Sequence, residues 1–174
     1  MFDLNRSIAI LERTPRILEA YLSGLGKEWT HVNEGPETWS AYDVVGHLIH
    51  GEKTDWIPRL KVILNNKNQE PFESFDRFAQ FENSKGKSLE FLLKEFAQLR
   101  RKNIAFLKSC SLTAKDFNLK GVHPELGEVY LKELLATWVT HDLGHIAQIS
   151  RVMAKQYRHE VGPWSAYISI LKDR

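Results

Sequence analysis

The spacing of apolar residues constrains the fold of this chain more than any other feature. In four stretches, at residues 4–25, 40–63, 88–107 and 131–156, apolar side chains recur every three or four positions. That is the period of an α-helix with one buried face. Proline lacks the amide donor that a helix interior needs. Pro15 therefore predicts a kink or a late start of the first helix, and Pro58 predicts a kink or a break near Asp55 in the second. Four long amphipathic helices with little strand predict an all-α four-helix bundle.

The connections between these helices differ in length and character. Residues 27–38 are predicted to form a loop, and residues 65–82 a long, Phe-rich connection with a short helical turn. A turn at residues 123–127 is expected between short extended pieces at 117–119 and 128–130. Gly162 and Pro163 are expected to end the fourth helix, before an apolar tail at 164–171 that packs back as a short helix. The long second and third connections argue against a simple up-down-up-down order.

Composition narrows the class of protein. The chain of 174 residues carries 24 Lys and Arg against 22 Asp and Glu, a net charge of +2, so no basic footprint for nucleic acid is present. No apolar run approaches the roughly 20 residues of a membrane span, and the N-terminal sequence lacks a signal-peptide profile. The single cysteine, Cys110, suits a reducing cytoplasm. We therefore expect one cytoplasmic domain over residues 1–174, without repeats or linkers.

The fourth helix places two histidines where its apolar stripe should continue. Leu131, Leu134 and Trp138 lead by steps of three and four to His141 and His145. Residues at i and i+4 are neighbours on a helix, so both Nε2 atoms can converge on one ion. The alternative is that each imidazole bonds to a buried carboxylate or carbonyl, which is the commoner outcome for an isolated His-x-x-x-His pair.

The second helix offers a third imidazole. His47 is flanked by apolar residues that should face inward, and helices in a bundle approach to about 8–10 Å. His47, His141 and His145 therefore form a candidate metal site with open positions, which is typical of a catalytic site. Three imidazoles suit zinc, nickel, copper or iron. His50 lies one turn further along and is expected at the rim of the site.

Four other residues have two interpretations each. Gln148 either holds a ligand imidazole or lies at the rim of the bundle, and Glu52 is a general base only if it projects into the site. His123 either lines the mouth of the site or is an exposed loop histidine, which is the more common case. Asp142 is expected to be a solvated residue or an interhelical partner rather than a ligand.

The remaining distinctive residues favour structural roles. Tryptophans 39, 56, 138 and 164 are expected in the core or beside a helix cap, and the basic run at residues 99–102 is expected on a solvated helix face. Cys110 has no neighbouring base that would favour a nucleophilic thiolate.

Two segments resemble the motifs of the DinB/YfiT-like superfamily. They are WSAYDVVGHL at residues 39–48 and LLATWVTHDLGHIAQI at residues 134–149, and the segments HPELGEV at 123–129 and YRHEVGPW at 157–164 are also similar. The resemblance implies an up-down-down-up four-helix bundle, a homodimer, and a divalent ion, zinc or nickel, held by His47, His141 and His145. It also implies transfer of low-molecular-weight thiols such as bacillithiol or mycothiol, or hydrolysis.

The leading hypothesis is therefore a metal-dependent thiol S-transferase or hydrolase that acts on a small-molecule substrate. In either reaction the ion would lower the pKa of a thiol or of water. The alternative is a non-catalytic, stress-related metal-binding or dimerisation protein in which the ion only stabilises the bundle. An open coordination position favours the enzyme, whereas a fourth protein ligand favours the structural role.

Overall fold

The computed structural model describes residues 2–65 and 70–172. Over these residues the chain forms eight α-helices and one antiparallel hairpin of two strands. The helices are α1 Leu4–Leu11, α2 Thr14–Leu22, α3 Lys27–Thr30, α4 Ala41–Thr54, α5 Trp56–Leu64, α6 Ala79–Ser84, α7 Leu89–Ser109 and α8 Leu131–Lys155, and the strands are β1 Lys120–His123 and β2 Gly127–Tyr130. Short 3-10 turns lie at Asp116–Asn118, Gly162–Ala166 and Ser169–Leu171. No helix in this part of the chain is long and apolar enough to cross a membrane.

The helix interruptions predicted at the two prolines are present: a helix begins at Thr14, next to Pro15, and the second stretch breaks at Asp55. The first stretch divides into α1 and α2, with Pro15 in the first turn of α2, and the second divides at Asp55 into α4 and α5. Proline is tolerated in the first turn of a helix, where its missing N–H has no partner to lose. The bundle therefore has four arms: α1 with α2, α4 with α5, α7 alone and α8 alone.

A capping box is present at the start of α4. The Asp43 N–H donates to Ser40 Oγ at 3.2 Å, and the Ser40 N–H donates to Asp43 Oδ2 at 2.9 Å. Gly46 lies one turn further on, where an added Cβ would be 2.4 Å from Ser84 Oγ of α6. The cap and this close approach fix α4 just where it carries His47.

Buried apolar side chains form two clusters, and these clusters reveal the direction of each arm. One cluster joins α1, α5, the end of α7 and the start of α8. The other joins α2, α4, the start of α7 and the end of α8. The first and last arms therefore run from the first cluster to the second, and the two middle arms run the opposite way. This is the expected up-down-down-up four-helix bundle.

The two parallel middle arms require a long return connection, here called the crossover, over residues 65–88. Its last part forms α6, which confirms the expected short helical turn, while residues 66–69 of the predicted connection lie outside the described residues. The Phe72 N–H donates to the Val122 carbonyl of β1 at 2.8 Å. The crossover and the hairpin therefore meet on one side of the bundle.

Several local predictions are wrong. The extended piece expected at residues 117–119 is a 3-10 turn with β1 beginning at Lys120, although β2 includes the predicted residues 128–130. Ile17 and Tyr21 are 42% and 37% exposed, so the buried stripe of the first arm is narrower than predicted. The fourth helix ends at Lys155, within one residue of the predicted bound at 156, but in the tail Leu171 contacts the bundle while Trp164 is 71% exposed. These segments are too short for apolar spacing to specify their packing.

Candidate metal centre

The structure brings His47, His141 and His145 together between α4 and α8. His141 Nε2 lies 3.1 Å from His47 Nε2 and 3.1 Å from His145 Nε2. One ligand atom from each residue lies within 4.8 Å of the other two. Zinc–imidazole bonds of about 2.0–2.1 Å place the nitrogens of a tetrahedral site about 3.4 Å apart, so this spacing fits a shared divalent ion.

The proton positions also favour a cation over hydrogen bonds alone. His145 Nδ1 lies 2.8 Å from Gln148 Oε1, which can only accept, so the imidazole proton is on Nδ1 and Nε2 carries a lone pair. His141 Nε2 holds either one proton or one lone pair, yet it faces a nitrogen on each side. One proton on His141 cannot satisfy both neighbours, whereas a divalent ion satisfies three lone pairs at once.

Burial keeps these imidazoles neutral. It lowers the pKa of His47 to about 3, with the charges of His145, His50 and Arg77 adding to the effect. It lowers the pKa of His141 to about 2. The pKa of His145 is also lowered by burial, although its hydrogen bond to Gln148 opposes the shift. Neutral imidazole is the form that binds a metal ion.

Aromatic rings surround the three histidines. The Trp39 ring lies 4.7 Å from His47 and 6.2 Å from His145 between centroids, and Phe75 lies 5.5 Å from His47. The Trp56 ring lies 5.1 Å from His141. These rings remove water from the cluster on several sides and account for the desolvation that lowers the imidazole pKa values.

A cavity of about 560 Å³ lies over the cluster. Its walls come from α4, α5, α8, the crossover and the hairpin, and its lining includes Trp39, Arg59, Phe72, Arg77, His123 and Thr137. Within residues 2–65 and 70–172, no carboxylate, thiol or further imidazole joins the three histidines. An ion held by three protein ligands keeps at least one position for a non-protein ligand, as catalytic sites do.

Three of the secondary candidates lie at or near the cluster. Gln148 holds the His145 imidazole, so the first of its two interpretations is confirmed. His123 lines the cavity, and its Nδ1 accepts the backbone N–H groups of Glu125 and Leu126. His50 contacts Phe75 with ring centroids 4.8 Å apart and stays outside the cluster, but it is buried rather than at an open rim.

Glu52 does not face the cavity, so the general-base interpretation is wrong. Its Oε1 accepts bonds from Arg100 Nε at 3.0 Å and from Trp138 Nε1 at 3.0 Å, and its Oε2 accepts from Asn103 at 2.9 Å. Of the two roles expected for Asp142, the structure shows the interhelical partner, since Arg100 Nη1 donates to Asp142 Oδ2 at 2.6 Å.

Arg100 is the important residue that sequence reasoning missed. The basic run at 99–102 was expected on a solvated face, yet Arg100 is 2% exposed and also donates to the Leu11 carbonyl at 2.8 Å. Burial alone would lower its pKa, but the charges of Asp142 and Glu52 raise it. Its spacing in the sequence could have indicated its burial, because Arg100 lies four residues after Phe96 and four before Ile104, on the buried stripe of α7.

Cys110, Trp56 and Trp138 lie in or against the core as expected, Trp39 and Trp56 also line the cavity, and Trp164 is the exception given above. Cys110 is half-buried, and burial raises the pKa of its thiol, which disfavours the nucleophilic thiolate. Trp56 and Trp138 are buried and stack with ring centroids 5.7 Å apart.

Comparison with known proteins places this fold and site in context. YfiT from Bacillus subtilis, described as a probable metal-dependent hydrolase with an unusual four-helix bundle topology, has a similar structure, with a TM-score of 0.74 and 23% sequence identity. The similarity covers 91% of this chain and 87% of YfiT. No curated protein sequence matches the chain significantly. The model of the DinB superfamily matches residues 10–149, which include all three histidines. The chain therefore belongs to the DinB superfamily.

Proposed function

We propose that this protein is a metal-dependent enzyme in which His47, His141 and His145 hold one divalent ion, zinc or nickel. The observation that carries the proposal is the convergence of three Nε2 atoms beneath a cavity of about 560 Å³, without a fourth protein ligand among the described residues. The cavity volume is in the range that binds small molecules. The description of YfiT as metal-dependent supports the same class of activity.

The residues around the cluster have separable tasks. Bound there, a divalent ion would supply Lewis acidity that lowers the pKa of a thiol or water nucleophile. Gln148 fixes the His145 imidazole in the tautomer that leaves Nε2 free to bind. Trp39, Trp56 and Phe75 keep bulk water away from the imidazoles, which strengthens electrostatic interactions in the site. Substrate enters from the cavity side, past His123.

Two reactions use this arrangement, and they differ in the nucleophile. Transfer of a low-molecular-weight thiol to an electrophile is the reaction that the sequence motifs favour, and hydrolysis is favoured by the description of YfiT. A screen of metal-loaded protein decides between them: thiols paired with an electrophilic acceptor in one arm, and activated esters and amides in the other. Turnover in one arm that disappears on chelation identifies the reaction.

The metal assignment has its own experiment. Protein purified without an affinity tag should bind one zinc or nickel ion per chain by elemental analysis and titration. The double variant His141→Ala and His145→Ala should lose that ion, whereas His159→Ala, which removes an exposed histidine, should keep it. Undiminished stoichiometry in the double variant would contradict the assignment.

A structural ion without catalysis is the competing function. Structural zinc sites use four protein ligands, and the cluster supplies three. Absence of activity in both arms of the screen, with the ion bound, would favour the structural role.

A further inference from the structure

We propose that the cavity binds a small molecule with an apolar body and a carboxylate group, and that Arg77 is the residue that recognises the carboxylate. The inference deepens the proposed function, because it names a substrate class for the same cavity. It is nevertheless tested without any turnover measurement.

Arg77 is an exposed cation at the cavity wall that makes no ion pair within residues 2–65 and 70–172. It lies on the crossover between Phe75 and α6, and its side chain lines the cavity. Its charge is near enough to His47 to contribute to the lowered pKa of that imidazole. No ion pair or hydrogen bond joins its guanidinium to another side chain in the described part of the chain. A planar guanidinium with free N–H groups is the side chain best suited to a carboxylate.

The acidic residues of the cavity wall do not compete strongly for Arg77. Asp55 pairs with Arg59, with Oδ1 and Nε 2.6 Å apart. Glu133 Oε2 accepts the Tyr130 N–H at 2.9 Å in the cap of α8. Glu125 lies at the exposed tip of the hairpin. A carboxylate that enters the cavity therefore meets a free guanidinium beside acidic groups that are already paired or in solvent.

The candidate metal centre adds no negative charge that would repel an anion. Its three side chains are neutral imidazoles, whereas many metal sites include a carboxylate ligand. The three histidines beneath the cavity and Arg77 in its wall therefore both favour a negatively charged ligand.

The rest of the wall is suited to an apolar body. Trp39, Trp56, Phe72, Phe75 and Leu134 all line the cavity. Pockets of this size commonly combine apolar walls with a few polar groups that fix the orientation of the ligand. Of the two guanidiniums in the wall, Arg59 is paired with Asp55, so Arg77 beside the aromatic rings specifies an amphiphilic anion better than a sugar or a polycation.

The test uses two probes of nearly equal shape, 3-phenylpropionate and 3-phenylpropionamide, titrated calorimetrically into the metal-loaded full chain. We expect the acid to bind roughly tenfold more tightly than the amide, as one charge-assisted hydrogen bond near solvent allows. Arg77→Gln should bring this ratio close to one, and Arg77→Lys should retain part of it. Lys85→Gln removes a nearby exposed cation outside the cavity and should leave the ratio unchanged.

Three outcomes would overturn the proposal: equal affinity of the two probes in the unchanged protein, no measurable binding of either at millimolar concentration, or an acid preference that survives in Arg77→Gln. The last result would mean that another group, such as the ion itself, binds the carboxylate. Metal content is measured for each variant. If the unchanged protein binds no ion or shows no turnover, the proposed function is contradicted. The ratio of the two probe affinities tests Arg77 separately.

Discussion

At the scale of single residues, the three imidazoles are held in different ways. His145 is oriented by a hydrogen bond to Gln148. The Nδ1 atoms of His47 and His141 are buried and have no hydrogen-bond partner within the described residues, so aromatic contacts position those rings. On the proposed metal assignment, Gln148 is therefore the residue through which the affinity for metal would be changed without substitution of a ligand.

Gln148→Ala should weaken metal binding about tenfold, because a ligand imidazole that loses its hydrogen-bonded partner loses orientation and basicity. Competition with a chromogenic chelator measures the affinity. Gln156→Ala is the matched control, since Gln156 bonds to the Trp29 carbonyl at 3.0 Å, away from the cluster. An unchanged affinity in Gln148→Ala would show that this hydrogen bond does not orient the ligand.

The metal-free protein should lose stability as the pH falls below about 6.5. The folded-state pKa values of His47 and His141 are lowered to about 3 and about 2, so the unfolded chain takes up protons first. Their contribution is complete above pH 6.5 and is lost as the pH falls toward the folded values. The free energy of unfolding should fall by about 1.4 kcal/mol per pH unit for each proton.

Urea unfolding of chelator-treated protein between pH 7 and pH 4.5 checks this slope. His141→Gln should show a shallower slope than the unchanged protein, because one titrating group is removed. His159→Gln, at an exposed position, should keep the original slope. Equal slopes in all three proteins would contradict the buried, neutral state of His141.

The three clustered histidines could be identified from the sequence, but the buried Arg100 could not, and the reason is physical. A histidine that continues an apolar stripe stands out, because it interrupts a helical period that already defines the buried face. Arg100 occupies an equivalent position on α7, but Arg101 and Lys102 follow it and resemble a solvated run. Its burial depends on Glu52 and Asp142, which lie on other helices and cannot be paired with it from one sequence.

At the scale of elements, Arg100 joins all four arms. It extends from α7 to Glu52 on α4, to Asp142 on α8 and to the carbonyl of Leu11 at the end of α1. This polar layer lies between the two apolar clusters, since Arg100 is between Phe96 and Ile104 along α7. A buried charge layer fixes the register of helices that apolar contacts alone would leave free to slide.

Arg100→Met should destabilise the fold by about 3–5 kcal/mol, because two buried carboxylates lose their counter-charge. Chemical denaturation measures the change. Arg101→Ala, one residue along on the exposed face, should stay within about 0.5 kcal/mol of the unchanged protein. A small loss in Arg100→Met would mean that the carboxylates protonate at little cost.

Long elements could be predicted with their bounds, whereas short ones could be predicted only in part. The helices of the four arms have a sustained period, and α4 has a capping box that is visible in the sequence. The hairpin and the tail are three to five residues per element, so few side chains report their periodicity. The position of the hairpin is set by tertiary contacts such as that between Phe72 and Val122.

At the scale of the whole molecule, the two apolar clusters form the core without any contribution from the candidate metal centre. We expect chelation to leave most of the helical circular dichroism intact. An ion present at a hundred times its dissociation constant contributes about 2.7 kcal/mol, so its removal should lower Tm by roughly 5–10 °C. Loss of helicity at room temperature after chelation would instead indicate a structural ion.

A homodimer remains a prediction. Exposed phenylalanines on the crossover favour it, because a contiguous apolar patch is costly to leave in water. Phe72 is buried within the chain, whereas Phe78 and Phe81 stack on each other and are 66% and 43% exposed. Light scattering at micromolar concentration should give twice the chain mass. Phe78→Ser with Phe81→Ser should shift the mass toward the monomer if this pair is in the interface. A monomer mass for the unchanged protein would refute the prediction.

The separation of the histidines along the chain has a consequence for biogenesis. His47 and His141 are 94 positions apart, so the cluster is completed only when a long loop closes. Closing a long loop costs conformational entropy, which the formation of a local helix does not. The N-terminal arms also leave the ribosome before α8 during synthesis. A nascent chain that lacks α8 displays only one of the three clustered imidazoles, His47. On the proposed function, an ion would therefore be captured with full affinity only after α8 has docked, which would make metallation a late event that follows correct assembly of the bundle.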